Sequence, residues 1–486
     1  MVGPDFHKPD RKMPADWIGA TPTTAPTTKG SITNAKPVDV SRWWENFDDP
    51  ELNVLIKRAI ESNLDLKLAT SRVLQARAQR GVVSSAFWPT ASVNASYARQ
   101  GSAGKSQRIV NSGGVVTTVT SASSSDLFQE GLDATWELDV FGGIRRSIEV
   151  ANANIRFAVE DRRDILVTLT SEVALNYMTL RSTQRQLVIA RENVADQEKS
   201  ADVTHRRQRG GFISGLDAAN ADAQVAATKS QIPVFEQQEQ QTIYDIALLL
   251  GAEPAALLKE LATDAPIPPT PPEVPIGLPS ELLKRRPDVR RAEAQWHAAN
   301  ANIGVATADL FPKFAITGSV GLSGPNGGSL FNWNNGFWQI GPQLSYEIFD
   351  AGRIRANIAV QNEITNQAAI AYEQTVLTAL RDVESALVAY AREQQHRALL
   401  SEAVAANQKA VDLSTTLYTQ GQTDFLNVLT AQRSLYASQD ALVQSDRTIA
   451  TNLVALYKAL GGGWQNQNLP PTTQPTTRPT TQGNPL

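Results

Sequence analysis

Four histidines, His7, His205, His297 and His396, are the side chains whose ordinary pKa lies nearest neutrality, and no two stand at a metal-ligand spacing. There is no cysteine, which excludes thiolate chemistry and disulfides. Gly142-Gly143 and Asp350-Ala351-Gly352 lack the lysine and spacing of a phosphate loop. They read as strand-to-helix turns, where glycine permits unusual dihedrals. No catalytic residue, metal or cofactor is expected. What remains is acid placed periodically. Asp133, Glu137 and Asp139 recur on one side of an alternating segment, and Glu347 takes the same place in a second one. The chemistry open to such a set is electrostatic. Along a water-filled passage these carboxylates favour cations, and otherwise they form a solvated face.

The segments that carry the acids are extended, because successive side chains of a strand point to opposite faces. In Phe337 to Phe349, Trp338, Ile340, Pro342, Leu344, Tyr346 and Ile348 share one side, and Gln339, Gly341, Gln343, Ser345 and Glu347 the other. Phe128, Leu132, Ala134, Trp136, Leu138 and Val140 oppose Gln129, Asp133, Thr135, Glu137 and Asp139. The segments 90–97 and 314–322 alternate in the same way. Strands of about ten residues with one apolar and one polar face suit a barrel wall between lipid and water. Trp136, Leu138, Trp338, Leu344 and Tyr346 are the expected lipid-facing residues, and Asp133, Glu137, Asp139 and Glu347 the expected lumen acids. Pro342 counts against a ladder position, since it has no N–H to donate.

The pattern occurs twice. Trp88-Pro89 returns as Phe311-Pro312, a shift of 311 − 88 = 223, and Gly211 returns as Gly421, a shift of 421 − 211 = 210. The first half therefore carries 223 − 210 = 13 extra residues, within 98–126, a Gly/Ser/Thr/Val-rich stretch that reads as loop. Each half reads helix, strand, loop, strand, long helix, turn, long helix. Helices are expected over about 146–207, 215–250 (kinked at Pro233), 353–420 and 423–460, too long for anything but side-by-side packing. Arg181, Arg185, Arg191, Glu192 and Lys199 are expected to face solvent. At the two turns between long helices, Ser214 and Asp424 read as N-caps beside Gly211 and Gly421.

Composition bounds the class. The 486 residues carry a net charge of −4, which gives no basic field for nucleic acid. No run of about 18 apolar residues is present for a spanning helix, and the chain opens MVGPDFHKP without a basic-then-apolar leader. The expected organisation is an extended, low-complexity segment 1–42, a first repeat 43–260, a Pro-rich linker 261–279, a second repeat 280–464 and a disordered Pro/Thr-rich tail 465–486.

Several segments resemble the TolC-like outer-membrane efflux protein family, in its OprM/NodT-type lipoprotein branch. Val2-Gly3-Pro4-Asp5-Phe6 is similar to that branch's opening. Trp43-Trp44…Phe47-Asp49-Pro50-Glu51-Leu52, Trp136-Glu137-Leu138-Asp139-Val140-Phe141-Gly142, Arg285-Arg286-Pro287-Asp288 and Phe349-Asp350-Ala351-Gly352-Arg353 follow in family order. Tyr418…Gly421…Asp424-Phe425-Leu426…Ala431-Gln432-Arg433 is similar to its helix tip. The resemblance implies a mainly α fold with membrane β, an internal two-fold repeat, and a homotrimer whose twelve-strand β-barrel continues into an α-helical barrel. It implies the exit duct of a tripartite efflux pump in the outer membrane of a Gram-negative bacterium, extending into the periplasm. The implied partners are a periplasmic adaptor, an inner-membrane transporter of the resistance-nodulation-division type, and outer-membrane lipid. Asp217, Asn220, Asn427 and Thr430 match the positions that narrow the periplasmic entrance, although the second copy lacks the family's acids there. Met1 stands where the branch has an acylated cysteine, which suggests a truncated or misplaced start. The competing expectation is a soluble helical scaffold with a β-hairpin head.

Overall fold

A computed structural model describes residues 1–8, 13–18, 32–34, 39–101, 106–112, 115–121, 124–271 and 273–466; the low-complexity tracts 21–29 and 470–485 lie outside the described residues. The repeat holds element by element. Helix α2 (Leu64–Ser85) and strand β2 (Thr90–Gly101) return 223 residues later as α8 (Pro287–Ala308) and β7 (Lys313–Gly324) with equal lengths. Helices α3 (Gly143–Arg209) and α9 (Arg353–Thr419), 67 residues each, are offset by 210. The second repeat closes with the continuous α10 (Phe425–Ala459). The first closes with two helices, α4 (Gly215–Lys229) and α5 (Ile232–Leu249), and Pro233 sits in the first turn of α5. The expected kink is therefore a full break, because proline has no N–H to bond back and is tolerated where a helix starts.

The chain folds as two compact units that do not follow the two sequence halves, since each draws residues from both. The first unit holds residues 1–9, 74–157 and 292–371. Its centre is a four-stranded antiparallel sheet in the order β2, β5 (Ser124–Leu138), β7, β8 (Gly336–Ser345). The stretch read as loop is partly strand. Strands β2 and β5 extend into it, and β3 (Ser106–Ser112) pairs with β4 (Val115–Ser121) as a separate hairpin. Its Val, Ile and Thr residues are β-branched and favour extended backbone despite the Gly/Ser composition. The first residues are not a free strand either. Val2 N–H bonds to Phe141 O at 3.0 Å, and the buried Arg146 donates to Val2 O, Gly3 O and the Asp5 carboxylate. Phe6 stacks on His297 at 4.6 Å between centroids.

The second unit, residues 10–73, 158–291 and 372–486, carries the main hydrophobic core. Helix α1 (Pro50–Ser62) starts on Asp49, whose carboxylate accepts the Leu52 N–H at 3.0 Å, with Pro50 in the first turn. That places Leu52, Leu55 and Ile56 against Trp43, Phe47 and Tyr177, all essentially excluded from solvent. Trp43 stacks on Tyr457 of α10 at 5.4 Å, and Trp464 lies under the guanidinium groups of Arg163 and Arg290 at 4.3 and 5.2 Å. The Arg-Arg-Pro-Asp motif works here. Arg286 is held by Asp288 and Asp382 and donates to Ala459 O at 3.1 Å, while Pro287 opens α8. Short helices α6 (Leu258–Leu261) and α7 (Leu282–Arg285) precede and follow in the chain the strand β6 (Glu273–Pro275), which pairs in parallel with β1 (Ile32–Asn34). Trp17 is buried and donates to Gly277 O at 3.0 Å, which anchors the chain at this residue. Arg181 is a correction as well. Expected in solvent, it is 4% exposed, lies over the Tyr177 ring and donates to Gln184 and to Thr263 O.

Candidate functional site

The pairing register assembles the two faces across all four strands. One face carries the rows Val93–Leu132–Val320–Trp338, Ala91–Ala134–Gly318–Ile340 and Leu138–Phe314–Leu344, with Trp136–Ile316–Pro342 between. The other carries Ser92–Asp133–Ser319–Gln339, Thr90–Thr135–Thr317–Gly341 and Glu137–Ala315–Gln343. A slip of one residue in any pair would have mixed the faces, so alternation and register agree independently. The apolar face is open: Val93, Trp338 and Ile340 are each at least 70% exposed. Glu130 interrupts it opposite Ala95 and Leu322. Pro342 lies on β8, an edge of the described sheet, which is where a strand tolerates a missing donor.

Two of the four expected lumen acids are not strand residues. Asp139 lies just past the end of β5 and accepts the backbone N–H groups of Ile144 and Arg145, with the Arg145 guanidinium at 3.0 Å. It caps the start of α3. Burial works to raise its carboxyl, but the bonds from Arg145 and Ile144 outweigh that and hold it below the usual carboxylate range. Asp350 does the same for α9, and the amides of Ile354 and Gly352 hold its carboxyl low. Glu347 lies past the end of β8 and pairs with Arg353 at 2.6 Å. Tyr346, expected on the lipid side of the strand, also lies past that end and is exposed. Asp133 and Glu137 keep their places on the polar face, where Asp133 accepts from Asn94 at 2.5 Å.

The two helix tips of the second unit are built alike. Gly211 and Gly421 take positive φ, 76° and 78°, where a side chain would strain the backbone. The N–H groups of Phe212 and Gln422 then reach back to Arg207 O and Leu417 O at 3.0 and 2.8 Å, closing the ends of α3 and α9. Ser214 and Asp424 stand at the N-cap positions with extended backbone, but neither side chain makes a capping bond. Asn427 instead donates to Thr423 Oγ1 at 2.7 Å, and Thr430 bonds back to Leu426 O. Ser214→Ala and Asp424→Ala should therefore move the unfolding midpoint by less than the ~1 kcal/mol expected of a lost cap. A loss above that in thermal melts of the purified protein would mean that the caps form in solution.

Asp217 and Asn220 occupy the first two turns of α4, and Asn427 and Thr430 those of α10. Among the described residues, no hydrogen bond or ion pair joins the first pair to the second. A residue that no sequence motif marks does bridge the tips. The Arg207 guanidinium, near the end of α3, bonds to Tyr418 O, lies 3.5 Å from Thr419 O and covers the Tyr418 ring at 4.7 Å. It thus satisfies the last carbonyls of α9, where a cation also meets the negative helix end. Below it Tyr418, Phe425, Val428 and Leu429 form a small buried cluster with Ala201 and Ala221. The repeat held a signal for Arg207, since its counterpart 210 residues on is Leu417.

The chain matches the outer membrane efflux protein family over residues 55–252 and 278–462. It is 34% identical over 434 residues to the pyoverdine export outer membrane protein OpmQ of Pseudomonas aeruginosa, covering 88% of each chain. It is 32% identical over 465 residues to the probable efflux pump outer membrane protein TtgC of Pseudomonas putida, covering 96% of this chain and 93% of that one. The solved outer-membrane channel OprN superposes with a TM-score of 0.85 at 34% identity, over 96% of this chain and 99% of that one. A two-faced sheet and paired long helices, in this likeness, define an exit channel of the outer membrane that extends into the periplasm. The chain belongs to the outer membrane efflux protein family.

Proposed function

We propose that this chain is the passive exit duct of a tripartite pump. It works as a homotrimer, takes small molecules from an inner-membrane transporter of the resistance-nodulation-division type through a periplasmic adaptor, and does no covalent chemistry. The observation that carries this reading is the four-stranded sheet, apolar on one face and, among the described residues, open along the outer edges of β2 and β8. Unpaired strand edges have no partner in a hydrocarbon layer, so a spanning sheet must close on itself. Four strands are too few for that, and three copies supply twelve. Asp133 and Glu137 would then line the passage, and Trp136, Leu138, Trp338 and Leu344 would face lipid. Asp217, Asn220, Asn427 and Thr430 would narrow the far entrance.

The absence of cysteine allows a clean test. Within one chain β2 and β8 are separated by two strands, about 14 Å, well beyond the reach of a disulfide. Single cysteines placed along Val93 to Tyr97 and, in the same chain, along Gly336 to Leu344 should cross-link only between chains and give a covalent trimer in membranes. Monomer alone across the whole panel would remove the closed barrel.

A further inference from the structure

The apolar face of the sheet changes character at the end away from α8 and α9. Beyond the row Val93–Leu132–Val320–Trp338 comes Glu130 with Leu322 and Gly336, and then the row Tyr97–Phe128–Gly324. Tyr97 and Phe128 lie with ring centroids 4.7 Å apart. The connection from β7 to β8 consists of two short 3-10 turns, Gly327–Phe331 and Trp333–Asn335. It folds back onto this same face. A side chain on Gly324 would point to the apolar side, and there it would collide with Ser329 Cβ. A side chain on Gly336 would point the same way and meet Trp333 O at 3.0 Å. The first turn packs on β5 as well as β7, so it lies across the sheet rather than beyond it.

The connection spends its amides on itself. Asn326 Oδ1 accepts the Ser329 N–H at 3.1 Å, Asn335 Nδ2 donates to Ser329 O at 3.1 Å, and Asn332 Oδ1 accepts the Asn334 N–H at 3.0 Å. Ser329 is buried by these bonds, while Phe331 is 91% and Trp333 75% exposed. Two large aromatic rings held outward by a braced backbone form a contact surface. Its depth in a barrel follows from the strand. Gly336 stands 340 − 336 = 4 residues from Ile340, the middle of β8. At about 3.4 Å per residue and a tilt of about 45°, that is roughly 10 Å along the membrane normal. Half of the ~25 Å apolar band of such barrels is about 12 Å. The turn therefore lies at the boundary of acyl chains and headgroups. Irregular backbone keeps water within reach there, and an indole sets its ring among the chains and its N–H among the headgroups.

We propose that Phe331 and Trp333 anchor the β7–β8 connection in the outer leaflet, on the outside of the barrel, continuing the aromatic row of Tyr97 and Phe128. The partner is the lipid surface, because the turn extends the apolar face that the barrel reading above turns to lipid, and the inference rests on that reading.

The chain has no cysteine, so single labels report cleanly. Phe331→Cys, Trp333→Cys, Ile340→Cys and Gln339→Cys each carry bimane, in full-length trimer reconstituted into phosphatidylcholine–phosphatidylglycerol vesicles. The quenchers are lipids with a nitroxide high on the acyl chain or near its end, and aqueous iodide. Labels at positions 331 and 333 should be quenched at least about twofold more by the shallow nitroxide than by the deep one. Ile340→Cys should reverse that order, and Gln339→Cys should respond to iodide. Labels at 331 and 333 that respond to iodide alone, or to no quencher because a neighbouring copy covers them, would overturn the anchor while Ile340→Cys keeps the barrel. Absence of lipid quenching at Ile340→Cys as well would overturn both.

Discussion

Arginine in place of Ile340 should cost outer-membrane assembly about 2–4 kcal/mol, while arginine in place of Gln339 should be tolerated, because the two neighbours lie on opposite faces of β8 and, in the proposed barrel, those faces meet lipid and lumen respectively. The register sharpens where the loss should be largest. Ile340 lies in the row with Gly318, Ala134 and Ala91, midway along β7 and β8. Leu344 and Trp136 lie toward one end of the sheet, past the last β2 pair: Leu344 pairs with Phe314 next to the first residue of β7, and Trp136 Nε1 donates to Phe87 O at 3.1 Å. Arginine there should cost about 0–1 kcal/mol, because a long side chain near the interface reaches water. The check is the yield of heat-modifiable trimer in outer-membrane fractions. Equal yields for Ile340→Arg and Gln339→Arg would sink the membrane assignment of this sheet.

That contrast was visible in the sequence because period-two alternation is local information. A sheet with one apolar and one polar face imposes it residue by residue, and the four alternating segments emerge as paired strands in a register that keeps the faces apart. The repeat was visible for a related reason. The same landmarks recur with offsets of 223 and 210, and even the glycines of positive φ obey them, as in Gly142 with Gly352 and Gly251 with Gly461. What stayed hidden depends on contacts between distant residues. Asp139 looked like one more strand acid, and only the fold shows that it closes the start of α3. Arg181 looked like a surface charge, but the Tyr177 ring and Thr263 O solvate it inside the second unit. Ser214 and Asp424 have the right type and place for caps, yet a cap also needs a rotamer that the local pattern does not specify. The β3–β4 hairpin was masked by composition, because Gly and Ser around a Val/Thr run read as loop when averaged.

Replacing Arg207 with alanine should give the largest functional change at the helix tips. The guanidinium is the polar tie between the end of α3 and the last carbonyls of α9, and Tyr418 beneath it also reaches Thr204 Oγ1 at 3.4 Å. A charged donor bonded to backbone carbonyls contributes about 1.5–3 kcal/mol, a shift of roughly ten- to a hundredfold in a two-state equilibrium. If the tips form the resting entrance, as proposed, each of three copies loses that tie. Single-channel recordings in planar bilayers should then show a higher open probability for Arg207→Ala, with Arg207→Lys between it and the unaltered protein, since lysine keeps the charge but not the planar fork. Asp217→Ala should act differently. It removes a carboxylate from the first turn of α4 without touching the α3–α9 tie, so it should weaken block by added cations more than it changes open probability. Unchanged conductance and open probability in Arg207→Ala, in a protein whose melting midpoint has fallen, would make Arg207 a purely structural clamp. Unchanged cation block in Asp217→Ala would remove this carboxylate from the proposed entrance and leave closure to the Tyr418–Phe425 cluster and the hydrogen bonds of Asn427 and Thr430.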